Sequence, residues 1–250
     1  MKYAVYSGTR NLYNDMETAA KSLFANSSVD KVFFLIEDEA FPRVLPSCIE
    51  CLDVSGQKWF PANGVNMNTQ FTYMAMIRVC YPEILPKEVD RVLQLDVDTV
   101  CVDDIDPLFE TDLGNTKLAM VDEKYGFYSK VPKPFGKQKY FNAGVLLLDL
   151  KSIRDSGIMG TMVNWLNHTK TPYIDQDAMN WMAGDVTVLP LRWNESMPTG
   201  YTDDPAIVHF AGYKQWHDTN AAPRQEYWKE YADMTWDEVM ALHALRKKGT

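Results

Sequence analysis

The stretch Lys31-Val-Phe-Phe-Leu-Ile-Glu37 is a continuous apolar run of strand length. Upstream of it, Lys2 to Ser7 also has the composition of a strand, and Met16 to Ala25 carries Ala, Leu and Phe on one side at helical spacing. The order strand, helix, strand is a βαβ unit, and near-continuous apolar strands are typical of a parallel sheet covered on both faces. The sequence therefore predicts an α/β fold in which ligands bind beyond the carboxyl ends of the strands.

A further apolar strand, beginning at Arg91, runs directly into the sequence Asp96-Val-Asp98. In an extended chain alternate side chains share a face, so both carboxylates are expected to point the same way. Two oxygen donors of this kind suit a hard divalent cation that keeps positions open for water or phosphate. Asp is also common where strands end in turns or helix caps. The pair thus indicates either a Mg²⁺ or Mn²⁺ site or a simple turn signal.

The remaining chain continues the alternation of helix and strand patterns. Phe71 to Leu85 has helical spacing and ends at Pro86, so we predict one helix that leads into the strand before Asp96. Apolar runs predict strands over 117–121, 145–150 and 206–210, and helical spacing predicts helices over 157–166 and 177–182.

The segment from Gln225 onward is rich in Trp and Tyr with interspersed charge, which predicts amphipathic helices that pack on the body of the protein. No repeat, low-complexity tract or Gly, Ser or Pro-rich linker interrupts the chain. We therefore predict a single domain over residues 1–250, with 225–250 as C-terminal helices.

The composition excludes several classes of protein. A formal net charge of -9 argues against a nucleic-acid partner, because Lys and Arg drive that binding by neutralising phosphates. A phosphorylated substrate would need a metal to offset the repulsion. The first residues become polar too soon for a signal peptide, and no apolar run approaches the roughly 20 residues of a membrane span. We predict a cytoplasmic protein without a transmembrane segment.

Three further motifs follow the Asp-Val-Asp pair. They are Tyr140-Phe-Asn-Ala-Gly, Asp175-Gln-Asp-Ala-Met-Asn and Ile207-Val-His-Phe-Ala-Gly-Tyr-Lys-Gln-Trp. In this order the four motifs resemble family 8 of the retaining glycosyltransferases, which includes glycogenin and the bacterial lipopolysaccharide galactosyl- and glucosyltransferases. The resemblance runs from residue 1 to about Trp216.

This resemblance implies a GT-A fold, with one Rossmann-like, mixed but mainly parallel sheet flanked by helices. It also implies a hexosyltransferase that moves glucose or galactose from a UDP-sugar to a hydroxyl of a glycan, glycolipid or protein, with retention at the anomeric carbon. The metal would be held by Asp96, Asp98 and His209. An imidazole added to two carboxylates favours Mn²⁺ over Mg²⁺, although a lone histidine beside an apolar strand also fits a buried core residue.

The other site residues are likewise implied by the resemblance. Asp175 would bind the sugar hydroxyls, and Gln176 would lie beside the anomeric carbon. The sequence departs from the family's pattern in two places. The loop from Ser7 to Tyr13 lacks the acidic residue that is usual in the family and is one residue longer. The spacing between Gly212 and Lys214 is one residue shorter than usual. Taken singly, these residues also fit turns, helix caps or solvent-exposed positions. The implied donor-binding residues are Tyr13, Arg78, Asp122, Asn142, Gly212 and Lys214.

Two other functions fit part of the sequence. An apolar strand followed by Asp-Val-Asp-Thr also resembles the first motif of haloacid-dehalogenase phosphatases, with Asp96 as nucleophile, Asp98 as acid and base, and Mg²⁺ as cofactor. That family usually places this motif near its amino end and adds a later Gly-Asp-x-x-x-Asp motif, which is not found here. A non-catalytic nucleotide-sugar-binding relative is the other alternative, because the stretch from Gly212 to Trp216 departs from the pattern.

Overall fold

The structure is a computed structural model, and it describes residues 1–67, 69, 71–124, 139–182, 185–212 and 224–249. In these ranges the strands are β1 (Tyr3–Ser7), β2 (Lys31–Ile36), β3 (Ile49–Asp53), β4 (Arg91–Leu95), β5 (Thr99–Cys101), β6 (Leu118–Asp122), β7 (Phe141–Asp149), β8 (Thr187–Val188) and β9 (Ile207–His209). The α-helices are α1 (Tyr13–Ala25), α2 (Tyr73–Ile77), α3 (Tyr81–Ile84), α4 (Asp106–Phe109), α5 (Leu150–Ser156), α6 (Ile158–His168), α7 (Ile174–Met182), α8 (Gln225–Asp233) and α9 (Trp236–Gly249).

The main sheet has the strand order β3-β2-β1-β4-β7-β6-β8 within the described ranges. Neighbouring strands run parallel except at β7, which is antiparallel to both β4 and β6. The predicted mixed, mainly parallel sheet is therefore confirmed. A separate antiparallel pair joins β5 to β9 and sets Thr99 opposite His209.

Two apolar layers cover the sheet, as predicted from its continuous apolar strands. Ala4 and Tyr6 of β1 face the layer that contains α1, whereas Val5 faces the layer that contains α2 and α3. Helices α8 and α9 pack on α1, where the rings of Phe24 and Trp236 meet edge to face at 6.0 Å. No helix in the described part of the chain combines the length and the apolarity that a membrane crossing requires.

The prediction of one helix from Phe71 to Leu85 is wrong. The segment forms α2, a 3-10 turn over Arg78–Cys80, and then α3. Pro82 explains the break, since proline lacks an N–H group and its ring would collide with the carbonyl of the residue four positions earlier. The same proline is well placed in the first turn of α3. The break leaves Arg78 buried beneath the carboxyl end of β4.

Strand β7 begins earlier than predicted, at Phe141, and this changes where its polar residues lie. Because β7 runs antiparallel to β4, its first residues meet the carboxyl end of β4, where the backbone N–H of Asp96 donates to the carbonyl of Gly144 at 2.8 Å. The β5–β9 pair then brings His209 to the same place. Three segments that are distant in sequence therefore converge at one edge of the sheet.

Candidate active site

Asp96 and Asp98 lie in a turn between β4 and β5, and not in an extended strand as their spacing suggested. Thr99 closes this turn, because its backbone N–H and its hydroxyl both donate to the carbonyl of Asp96, at 3.2 Å and 2.7 Å. Across the β5–β9 pair, His209 Nε2 is 3.4 Å from Asp98 Oδ1 and 3.7 Å from Asp96 Oδ2. The structure thus brings the three predicted metal ligands together.

The chemistry of this group fits a divalent cation. One ligand atom from each of Asp96, Asp98 and His209 lies within 4.8 Å of the others, and carboxylate oxygens with an imidazole nitrogen suit Mn²⁺. The ring of His209 reaches this position because residue 144 is glycine. A Cβ atom on Gly144 would lie 2.1 Å from His209 Cε1. The glycine of the Tyr140-Phe-Asn-Ala-Gly motif is therefore required by the close approach of the imidazole.

Arg78 links the metal ligands to Asp175. Its Nη2 donates to Asp96 Oδ1 at 2.7 Å, its Nε lies 2.9 Å from Asp175 Oδ2, and its Nη1 donates to the carbonyl of Ala143. Burial alone would lower the pKa of Arg78, but the carboxylates of Asp175 and Asp96 raise it above its ordinary value. Burial raises the pKa of Asp175 to about 7, with Arg78 opposing the shift.

Glu123 joins two of the predicted site residues, and sequence reasoning missed it. Its Oε1 accepts from Asn142 Nδ2 at 2.9 Å and from Gln176 Nε2 at 3.2 Å. Gln176 Oε1 in turn accepts from the backbone N–H of Ala143 at 2.9 Å. Burial raises the pKa of Glu123 to about 8, and its Oε2 is buried without a hydrogen-bond partner among the described residues. The only available signal was its position next to Asp122.

A cavity of about 500 Å³ opens at this edge of the sheet. Its walls contain all three predicted metal ligands, Asp175 and Gln176, and three of the six predicted donor-binding residues. Gly212 lies at its rim with a backbone φ of 90°, a conformation that favours glycine. The predicted site residues that line the cavity are Arg78, Asp96, Asp98, Asn142, Asp175, Gln176, His209 and Gly212.

Tyr13 and Asp122 are not among the described residues that line the cavity. Tyr13 is only 3% exposed, and its hydroxyl donates to Asp38 Oδ2 at 2.9 Å. The neighbouring Leu12 lines the cavity in its place. Asp122 lies at the end of β6, with its Oδ2 3.9 Å from Lys139 Nζ.

Lys214 falls outside the described residues. The roles predicted for Tyr13, Asp122 and Lys214 therefore stay predictions. Leu12 had no recognisable signal in the sequence, because only the fold of the loop decides which of two adjacent side chains faces the cavity.

Comparison with known proteins shows the family to which this chain is similar. The family model described as Glycosyl transferase family 8 matches residues 39–220. General stress protein A of Bacillus subtilis (strain 168) is 27% identical over 199 residues, which make up 69% of each chain. Glycosyltransferase GlyE of Streptococcus pneumoniae is 26% identical over 265 residues, which cover 94% of this chain but 62% of the relative. The match therefore spans less than two thirds of the length of GlyE.

Solved structures support the fold. The galactosyltransferase LgtC, solved with donor and acceptor sugar analogues, superimposes with a TM-score of 0.71 over 96% of this chain and 99% of its own, at 24% sequence identity. The fold is therefore that of the GT-A glycosyltransferases, as predicted. The family match does not favour the phosphatase interpretation of Asp96 and Asp98.

Proposed function

Because this chain belongs to glycosyl transferase family 8, we propose that it is a metal-dependent, retaining hexosyltransferase. It moves glucose or galactose from a UDP-sugar to a hydroxyl of a glycan, a glycolipid or a protein. The observation that supports this proposal is the joint placement of two sets of residues. Asp96, Asp98 and His209 line the same cavity as Asp175 and Gln176, so a nucleotide-sugar that fills the cavity would meet both sets.

Mn²⁺, or Mg²⁺ in its place, would be held by Asp96, Asp98 and His209 and would offset the negative charge that grows on the departing diphosphate. Arg78 keeps Asp96 and Asp175 in fixed positions through its two ion pairs. The buried guanidinium also lowers the net negative charge of the site before a donor enters. Orientation of this kind is a large part of catalysis in group transfer.

The remaining residues of the proposal bind the donor. Asp122 and Asn142 hydrogen-bond the sugar, Gly212 lets the backbone approach the diphosphate, and Lys214 supplies a positive charge to it. The nucleobase lies over the loop that contains Leu12 and Tyr13.

Retention of configuration requires either a covalent intermediate or attack from the face that the leaving group vacates. Asp175 is the carboxylate available for a covalent intermediate, but its Oδ2 is engaged by Arg78 Nε at 2.9 Å. Gln176 is an amide and a poor nucleophile. We therefore favour same-face attack. The acceptor oxygen bonds to the anomeric carbon, the glycosyl–phosphate bond breaks with its electron pair on the phosphate oxygen, and that phosphate takes the hydroxyl proton.

Thermal unfolding with ligands tests this proposal. A ligand that binds only the folded state raises the melting temperature. We expect UDP-glucose or UDP-galactose to stabilise the protein only with Mn²⁺, and His209→Ala to abolish this effect. His168→Ala, at the exposed end of α6, is the matched control and should behave as the wild type.

The stabilising donor is then used in an assay for UDP release. Release with the wild type and not with His209→Ala supports transfer. Stabilisation without UDP release under any acceptor condition would instead indicate a non-catalytic nucleotide-sugar-binding protein. If no uridine nucleotide stabilises the protein with or without metal, the proposed function is wrong.

A further inference from the structure

A chain of hydrogen bonds leads away from the metal ligands to a backbone amide. His209 Nδ1 is 3.0 Å from Asn194 Oδ1. Asn194 Nδ2 donates to Asn142 Oδ1 at 2.8 Å, and that same oxygen accepts from the backbone N–H of Gly144 at 2.9 Å. Neither Asn194 nor this chain of contacts was suggested by the sequence.

The backbone N–H of Gly144 determines which atom donates and which atom accepts in each of these hydrogen bonds. The N–H of Gly144 can only donate, so the Asn142 atom that faces it must be oxygen. An oxygen there requires Asn194 to present its NH₂ group to Asn142, which turns the Asn194 oxygen toward His209. A carbonyl oxygen can only accept, and His209 Nδ1 must therefore carry the proton.

When the imidazole is neutral, a proton on Nδ1 leaves the lone pair on Nε2. Nε2 is the atom that faces Asp98 Oδ1 and Asp96 Oδ2 at 3.4 Å and 3.7 Å. Metal-binding histidines use an unprotonated nitrogen, and a hydrogen bond at the other ring nitrogen determines which one is available. A neutral ring held in this way presents Nε2 to a cation.

Asn194 is itself held firmly. It has no exposed surface, its backbone N–H donates to the carbonyl of Leu191 at 3.0 Å, and its carbonyl accepts from the hydroxyl of Thr199. The next residue, Glu195, pairs with β9 on both sides of Val208, because its backbone N–H donates to the carbonyl of Ile207 at 2.9 Å and its carbonyl accepts from the N–H of His209 at 2.8 Å. Asn194 and His209 therefore keep a fixed relative position.

We propose that Asn194 is a positioning residue of the metal site, which holds His209 as the Nδ1-protonated tautomer and aims Nε2 at the cation. The part of this inference that concerns the cation rests on the proposed function. Loss of a residue that hydrogen-bonds a metal-binding histidine typically lowers metal affinity 10- to 100-fold. We expect Asn194→Leu to weaken Mn²⁺ binding by about tenfold.

The first test measures the Mn²⁺ dissociation constant without any nucleotide, from the electron paramagnetic resonance signal of free Mn²⁺. Asn194→Leu removes both side-chain hydrogen bonds and keeps the same branched arrangement of heavy atoms. Asn194→Asp keeps an acceptor for the Nδ1 proton and should retain affinity within about threefold of the wild type, as carboxylate–histidine–metal arrangements do. Rescue by the aspartate would separate positioning from packing.

Asn66→Leu is the matched control. Asn66 is also a buried asparagine that ties chain segments together, through three hydrogen bonds to the backbone of Leu166, Thr169 and Thr171, and it is not among the cavity-lining residues. The control should lose stability but keep wild-type Mn²⁺ affinity. The proposal would be overturned if Asn194→Leu bound Mn²⁺ as tightly as the wild type does. It would also be overturned if Asn66→Leu lost as much Mn²⁺ affinity as Asn194→Leu.

The second test needs neither metal nor activity. Long-range ¹H–¹⁵N NMR spectra of the metal-free protein report the tautomer of each histidine, and His209→Ala identifies the signal of His209. We expect the Nδ1–H tautomer in the wild type, and a mixture containing Nε2–H in Asn194→Leu. An Nε2–H tautomer in the wild type contradicts the inference even if Mn²⁺ binds. Failure of Mn²⁺ to bind, with the Nδ1–H tautomer present, contradicts the metal dependence alone.

Discussion

At the scale of single residues, Gly144 gives the most direct prediction. Gly144→Ala puts a methyl group where the His209 ring lies, with a clearance of only 2.1 Å to Cε1. The ring must leave its position between Gly144 and the two carboxylates. We expect Mn²⁺ affinity to fall by at least tenfold, as for loss of a supporting contact at a metal site, and calorimetric titration measures it.

Gly160→Ala is the control for this substitution. Gly160 lies in α6, and a Cβ there meets nothing within 4 Å, so a helix-favouring alanine should be tolerated. Wild-type affinity in Gly144→Ala would show that the imidazole does not bind from its present position.

Glu123 gives a prediction about pH. Burial is the main cause that raises its pKa to about 8 from an ordinary 4.5, and Asp122 and Asp177 add to the shift. The folded state therefore holds a proton that the unfolded chain loses between these two values, so this carboxyl makes the protein less stable as pH rises from about 5 to 8. Glu123→Gln keeps a neutral hydrogen-bonding side chain and removes that dependence.

Urea unfolding of both proteins at several pH values measures this effect. As pH increases, the free energy of unfolding of Glu123→Gln should rise relative to that of the wild type. The gain should be a few kcal/mol at most, since one pKa unit corresponds to about 1.4 kcal/mol. The comparison cancels the contribution of Asp175, whose pKa is also raised. A constant difference between the two proteins across this pH range would mean that Glu123 is ionised throughout.

The sequence singled out the predicted metal ligands, but not the residues that hold them in place. Asp96, Asp98 and His209 stand in short motifs next to strands, and these motifs carry the resemblance to the family. Glu123 and Asn194 carry no such signal. Their roles arise from hydrogen bonds to residues far away in the chain, and a pattern of neighbouring residues cannot show those contacts.

At the scale of elements, the start of α7 is under backbone strain. Ile174 has a φ of 36° although it is β-branched, and it is buried directly before Asp175 and Gln176. L-residues disfavour positive φ by about 1–2 kcal/mol, whereas glycine does not. This strained residue directly precedes the two side chains that α7 presents to the cavity, Asp175 and Gln176.

A pair of variants isolates the strain. Ile174→Ala and Ile174→Gly both lose the buried side chain, at about 2–5 kcal/mol, but only glycine relieves the backbone. We expect the glycine variant to be more stable than the alanine variant by about 1 kcal/mol, which reverses their usual order in a helix. Chemical denaturation measures the difference, and a more stable alanine variant would argue against strain.

The helix predicted over 71–85 illustrates a limit of periodicity. Its apolar spacing was correct, but Pro82 divides it, and the resulting 3-10 turn contains Arg78. The 3-10 turn matters for the site, because Arg78 reaches Asp96 and Asp175 from its position in that turn. Spacing predicts which residues are buried, whereas local backbone chemistry decides where the element breaks.

At the scale of the whole molecule, the sequence predicted the layered α/β fold and its mainly parallel sheet because continuous apolar strands alternate with amphipathic helices. It did not predict the antiparallel insertion of β7 between β4 and β6, or the pairing of β5 with β9. Strand order depends on packing between distant segments, which composition does not encode. Both features nevertheless build the site, since they deliver Asn142 and His209 to the end of β4.

The β5–β9 pair also affects how the site is assembled during translation. The ribosome synthesises Asp96 and Asp98 well before His209, because β9 follows all seven described strands of the main sheet in the sequence. A nascent polypeptide therefore exposes two carboxylates without their imidazole until β9 has emerged and paired with β5. The three-ligand group is completed late in synthesis, so a cation held by all three ligands reports that the chain has been made and folded past residue 209.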